Sequence, residues 1–183
     1  MMLATLSQKT ALEQLDIEHT AVRYLINTLT DEEKTRPDTI RYGLYPDQKL
    51  SFKDLLAHLI TYEAFTLEAV DAWKRGEKHF AIEAMQSEDS SRKIHYGGIE
   101  DRRGQSLAQT LDEWDQTQSA LMAMIRKLTN EDWHQPAPFA TDTPLDLGGV
   151  LEIILVAPPR PPYHHLPVHI PDSAVYVRAL RGN

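Results

Sequence analysis

The chain is 183 residues long and 42% hydrophobic, enough to build one domain over residues 1–183 with a substantial core. Its net charge of −8 argues against a phosphate-backbone partner, because neutralising phosphates needs a clustered basic surface, so no nucleic acid is expected as a partner. Cysteine is absent, which excludes disulfides, thiolate nucleophiles, iron–sulfur clusters and zinc ribbons, and leaves histidine and carboxylate as the strong metal ligands. No apolar run reaches the length of a membrane span, so no membrane partner is expected. Met1–Thr5 has neither a basic n-region nor a hydrophobic h-region, and a cytoplasmic location is the expectation that follows.

Apolar residues recur with helical period from about Ser7 to Leu29, with Leu12, Leu15, Val22, Leu25, Ile26 and Leu29 on one side. A second helix is predicted from Ser51, where Ser51-Phe52-Lys53-Asp54 has the form of a capping box. It carries Leu55, Leu59, Tyr62, Phe65, Ala69 and Trp73 along one stripe, and Gly76 ends it. From about Lys74 to Gly104 the chain is polar and contains Gly97-Gly98, and it reads as a long solvated crossover. The pairs Lys74-Arg75 and Arg102-Arg103 read there as solvated loop charges. A third helix opens at Ser106 and turns Leu107, Leu111, Trp114, Leu121, Ile125 and Leu128 inward. A fourth, shorter helical run covers roughly Leu147 to Val156, and no alternating strand pattern appears. Four amphipathic helices with a long crossover between the second and third predict an all-α four-helix bundle.

A faint internal repeat supports two related helical hairpins. Thr28-Leu29-Thr30-Asp31-Glu32-Glu33 precedes Arg36-Pro37, and Lys127-Leu128-Thr129-Asn130-Glu131-Asp132 precedes Gln135-Pro136. Each element ends a long helix and starts a short turn capped by acidic residues. Trp73, Trp114 and Trp133 read as packing residues at the core or at helix ends.

The chemistry-bearing pattern is late in the chain. Tyr163-His164-His165-Leu166-Pro167-Val168-His169 places three of the eight histidines within six residues. His165 and His169, four apart, share one face of a helix and suit a common metal ion; equally, they suit two polar residues on a surface helix. Pro158, Pro159, Pro161 and Pro162 interrupt or kink the fourth helix before this pair, and Pro167 falls inside it. His164 points elsewhere on a regular helix and is the reserve ligand. His58 lies on the inward stripe of the second helix, where a histidine is either a hydrogen-bonded core residue or a ligand contributed to the bundle interior. Three imidazoles with an open position form a reactive metal site, whereas structural sites close with four ligands. His19, Tyr62 and Glu63 are candidate acid–base groups or supports of the ligands, with packing or solvation as the alternative for each.

The segments Asp54-Leu55-Leu56-Ala57-His58-Leu59 and His165-Leu166-Pro167-Val168-His169-Ile170-Pro171, with the helix order and long crossover, resemble the DinB-like proteins, which are related to the N-terminal domain of mycothiol-dependent maleylpyruvate isomerase. The resemblance implies a four-helix bundle holding a divalent metal (zinc, nickel or iron) through His58, His165 and His169. It also implies a metal-dependent transferase or isomerase that uses a low-molecular-weight thiol on a small electrophilic substrate. The alternative is a non-catalytic metal-binding or small-molecule-sequestering resistance bundle. A homodimer is the expected assembly for a bundle of this size.

Overall fold

In the computed structural model, which describes residues 3–37, 49–85, 87–156 and 181, helices begin where the sequence supplies an oxygen for otherwise unpaired N–H groups. Ser7 caps α1 (Gln8–Thr28), accepting a hydrogen bond from the Thr10 N–H. Reciprocal capping boxes open four further helices: Thr30 with Glu33 at α2 (Asp31–Thr35), and Ser51 with Asp54 at α3 (Phe52–Lys74). Ser106 pairs with Gln109 at α6 (Leu107–Lys127), and Thr129 with Asp132 at α7 (Asn130–Trp133). The two short helices α2 and α7 are the repeat seen in the sequence, each following a long helix. At the far end of α3, Gly76 adopts φ 76°. Its N–H bonds the Trp73 carbonyl and the Glu77 N–H bonds the Ala72 carbonyl, both at 2.9 Å, a Schellman ending that glycine adopts without strain.

The remaining helices are α4 (Ala81–Ala84), α5 (Glu88–Arg102) and α8 (Leu147–Val156), and no strand forms among the described residues. The fold is all-α, and the four helices predicted from periodicity are α1, α3, α6 and α8. The expected solvated crossover is different in kind: it folds into α4 and α5, and Ala81, Ile82, Met85, His95 and Ile99 are buried. Its sparse apolar residues left little periodicity to read.

That crossover changes what surrounds α3. The helix packs against α5, α6 and α8 and also meets α2 and α4. A single inward stripe was expected, yet Leu56, Ala57, Ile60, Thr61, Thr66 and Val70 are buried as well. Buried residues gather in two clusters along α3. One joins Val22, Leu25, Leu55, Leu56, Ile60, Ile99 and Trp114; the other joins Val70, Trp73, Ile82, Leu121, Ile125, Trp133, Leu151 and Ile154. All three tryptophans are buried, and Trp133 Nε1 donates to the Leu6 carbonyl at 2.9 Å.

Polar ties fix the helices around this core. Asp146 accepts from the Ala4 N–H (2.7 Å) and the Gly149 N–H (2.8 Å), so it caps α8 while holding the start of the chain. Glu152, buried on α8, accepts from the Thr5 N–H, the Thr5 hydroxyl and the Leu6 N–H. Arg181 docks on the α1–α2 corner, donating to both oxygens of Glu33 and to the Thr28 carbonyl. Hydrogen bonds from Arg181, with those from Thr30, bring the Glu33 carboxyl down to about 2.

Arg102 is no solvated loop charge. It donates to Thr61 Oγ1 and the Gly98 carbonyl, both at 3.1 Å, and pairs with Glu113 of α6 at 2.8 Å. Burial acts to raise the Glu113 carboxyl, but hydrogen bonds from Arg102 and Gln105 hold it below its ordinary value. On another face, His19 Nε2 of α1 meets Glu63 Oε1 of α3 at 2.7 Å, with both side chains buried.

Two substitutions in α5 probe the crossover. A Cβ at Gly98 would stand 2.0 Å from Thr61 Oγ1, so Gly98→Ala is expected to destabilise by about 1–3 kcal/mol. A Cβ at Gly97 meets nothing within 4 Å, and Gly97→Ala should stabilise α5 by about 0.5–1 kcal/mol. Urea denaturation of both variants checks the contrast. At the α1–α3 tie, Glu63→Leu leaves the His19 N–H donor buried without its acceptor and should cost about 1–3 kcal/mol. Glu63→Gln keeps an acceptor, and the same titration should show a smaller loss.

Candidate functional site

His58 sits in the first half of α3 and is 0% exposed. It reaches this environment because α5 comes unusually close to α3. Gly98 has no side chain to keep the helices apart, and Thr61 occupies the space, its hydroxyl donating to the Ala57 carbonyl at 2.8 Å. Three residues before Thr61 on α3 is His58; three residues before Gly98 on α5 is His95, so each lies on the face that carries the contact. The two rings meet at 4.2 Å between centroids, 71° apart in plane.

Their Nδ1 atoms are 2.5 Å apart. Two imidazole nitrogens at that separation hold one proton between them, with one ring donating and the other accepting. Tyr62, one turn after His58, lies edge-on to it with centroids 4.6 Å apart, and Tyr96 lies beside His95 at 5.1 Å. The result is an aromatic cluster of two imidazoles and two phenols between α3 and α5, with His58, His95 and Tyr62 buried and Tyr96 half-buried.

The sequence-derived candidates fall into three groups. His58 and Tyr62 are together in this cluster. His19 and Glu63 pair with each other on another side of α3, because five residues along a helix turn a side chain by about 140° from His58. His19 also lines an open cleft of about 400 Å³ with Asp16, Arg23, Tyr24 and Gln118, and Arg23 stacks over Trp114 at 5.0 Å. His164, His165 and His169 lie outside the described residues. Among the described residues, no three His, Cys, Asp or Glu side chains form a group able to hold a metal.

His95 is the residue that reading the sequence missed. Its signal was the spacing of His95, Gly98, Ile99 and Arg102, which share one helical face, within a segment otherwise too polar to show a period.

Comparison with known proteins adds the family and the fold. The chain matches the sequence profile of the DinB superfamily over residues 14–156. No curated protein matches it in sequence. Among solved structures, it is similar to an uncharacterised protein from Escherichia coli UTI89, with TM-score 0.64 and 12% identity over 97% of this chain and 93% of that one. It is also similar to the colibactin self-resistance protein ClbS in complex with a dsDNA, with TM-score 0.67 and 12% identity over 97% of this chain and 98% of that one. At 12% identity both likenesses carry the fold alone. The histidine-bearing second helix, the helix order and the profile match agree: the chain belongs to the DinB superfamily.

Proposed function

We propose that this chain binds a divalent metal through His58, His165 and His169 and uses it on a small molecule, with a low-molecular-weight thiol as the partner of a small electrophile. The observation that carries the reading is the complete burial of His58 against a second imidazole between two helices. Burying imidazoles costs free energy unless their nitrogens are engaged, and bundle interiors are where metal ligands on facing helices converge. The donor type fits: imidazole suits zinc, nickel and iron, and the chain has no cysteine to compete for them. His58 would hold the ion together with His165 and His169. When bound, such an ion lowers the pKa of coordinated water or thiol. The chain's own contribution is to aim His58 inward from α3 and to close its ring between Tyr62 and His95. Any thiol must come from a small molecule.

A second reading is favoured by the likeness to ClbS, a self-resistance protein. Here the bundle sequesters a toxic small molecule without turnover. This reading predicts saturable, stoichiometric binding and no product, whereas the first predicts product that grows with time.

Metal content of untagged protein, read by mass spectrometry, is expected to be near one ion per chain and to be lost in both His58→Ala and His165→Ala. A wild type that carries no metal and takes up neither zinc nor nickel sinks the metal reading. For nucleic acid, the net charge of −8 opposes a phosphate partner. Labelled duplex DNA is therefore expected to show no saturable binding at about 0.15 M salt, where exposed charges are screened beyond roughly 8 Å. Saturable binding that weakens steeply with salt would reverse that expectation.

A further inference from the structure

Glu152 is the sole ionisable residue of α8, a helix otherwise apolar along its whole length, and it is 9% exposed. A buried carboxylate costs free energy unless hydrogen bonds replace its water. Among the described residues, every one of those bonds comes from the segment that precedes α1. Oε1 accepts from the Thr5 N–H at 2.8 Å and the Leu6 N–H at 3.1 Å, and Oε2 accepts from the Thr5 hydroxyl at 2.9 Å. Asp146, which caps α8, takes the Ala4 N–H at 2.7 Å in the same way. Three consecutive backbone N–H groups are thus read by two acids, and Trp133 Nε1 donates back to the Leu6 carbonyl at 2.9 Å. The fit is close at Gly148, where a Cβ would stand 2.5 Å from the Trp133 ring and 2.7 Å from the Ala4 Cβ.

The segment that docks there is one chain thick and lightly held on its outer side. Ala4 and Leu6 are half-buried, Thr5 is exposed, and none of the three belongs to a helix or strand. Both flanks are secured without it. Ser7 caps α1, and Gln8 Nε2 donates to the Ile125 and Leu128 carbonyls, both at 2.6 Å, so an opening of the segment stops at Ser7. Asp146 keeps the Gly149 N–H and the contact with His134 Nδ1, so α8 stays capped. Glu152 alone is left with water for its hydrogen bonds. We infer that residues 4–6 form a clasp that leaves and re-enters this groove as one unit while the bundle stays folded, uncovering Glu152 and the edge of Trp133. Closed, the protein's own segment fills the groove; open, the groove offers a carboxylate and an indole N–H at the spacing of an extended chain. Segments with exposed backbone hydrogen bonds and few buried apolar contacts are where folds open locally.

The test is amide and indole hydrogen exchange of the full chain, followed by NMR with and without urea below the unfolding transition. The Thr5 and Leu6 amides and the Trp133 indole N–H are expected to share one protection factor. It should be at least about tenfold below that of the Leu121 and Ile154 amides and change little with urea, because a local opening exposes little surface. Trp73 and Trp114, whose indole N–H groups are buried and make no hydrogen bond, mark whole-bundle opening. In Glu152→Leu the clasp amides should lose their protection while the core amides keep theirs within about threefold, since leucine suits an apolar helix and leaves no acid to satisfy. Thr5→Pro removes the donors from the clasp side and should give the same pattern with the groove unaltered. If Glu152→Leu does not fold, Thr5→Pro decides alone. Clasp protons that exchange only with the core, at the same urea dependence, overturn the inference, and so do Thr5 and Leu6 amides that are unprotected in wild type. Core protection that falls in step with the clasp in Thr5→Pro also overturns it, because the segment is then an integral part of the bundle.

Discussion

The contact between Thr61 and Gly98 is the constraint on which the candidate site depends. A methyl group at Gly98 would lie 2.0 Å from the threonine hydroxyl, so α5 rests on α3 with no side chain between them. Thr61 cannot yield easily: its β-branched side chain is stiff, and its hydroxyl donates to the Ala57 carbonyl while accepting from Arg102. Arg102 then reaches Glu113, so the same point ties α5 to α6. One turn back along both helices, the shared closeness brings His58 and His95 together. A wider separation would open a gap there, and two polar rings would face a cavity in place of each other.

The long helices were legible because their signals are local and repeated. Ser51-x-x-Asp54 and Ser106-x-x-Gln109 formed the boxes they resembled, and Gly76 terminated α3 with the positive φ that its position requires. The short helices α2 and α7 follow from the same logic, since Thr30 and Thr129 each pair with an acid three residues on. The crossover was not legible. Between Lys74 and Gly104 the helical face of α5 is built from His95, Gly98, Ile99 and Arg102, of which only Ile99 is an apolar signal. Burial of that face comes from tertiary contact with α3, and a periodicity count cannot see it. The same omission made α3 look amphipathic, although it is enclosed on nearly every side.

The site was legible in halves. His58 stood out as a polar residue on an apolar stripe, and its burial is complete. Its neighbour His95 carried no such contrast, because its surroundings in the sequence are polar. His19 in the first helix and Glu63 near His58 were recognisable as candidate acid–base groups, but helical rotation sends Glu63 to another face, where it meets His19. His165 and His169 lie outside the described residues, so their part in the site rests on the family resemblance. The structural neighbours share the fold at 12% identity, which carries architecture and leaves the chemistry to this chain's own residues.

The two buried histidine pairs on α3 differ in the chemistry of their partners. His19 faces a carboxylate. A carboxylate oxygen accepts, so the contact is a donor–acceptor pair of fixed sense that ties α1 to α3. His58 faces an imidazole, which can donate or accept according to its tautomer. The proton between His58 and His95 is therefore not assigned by either ring alone. It is assigned by whatever engages the far nitrogens. A pair whose proton responds to its surroundings is poorly suited to act only as a tie between helices. The position of that proton is set on the α5 side of α3, in contrast to the carboxylate-fixed contact with α1.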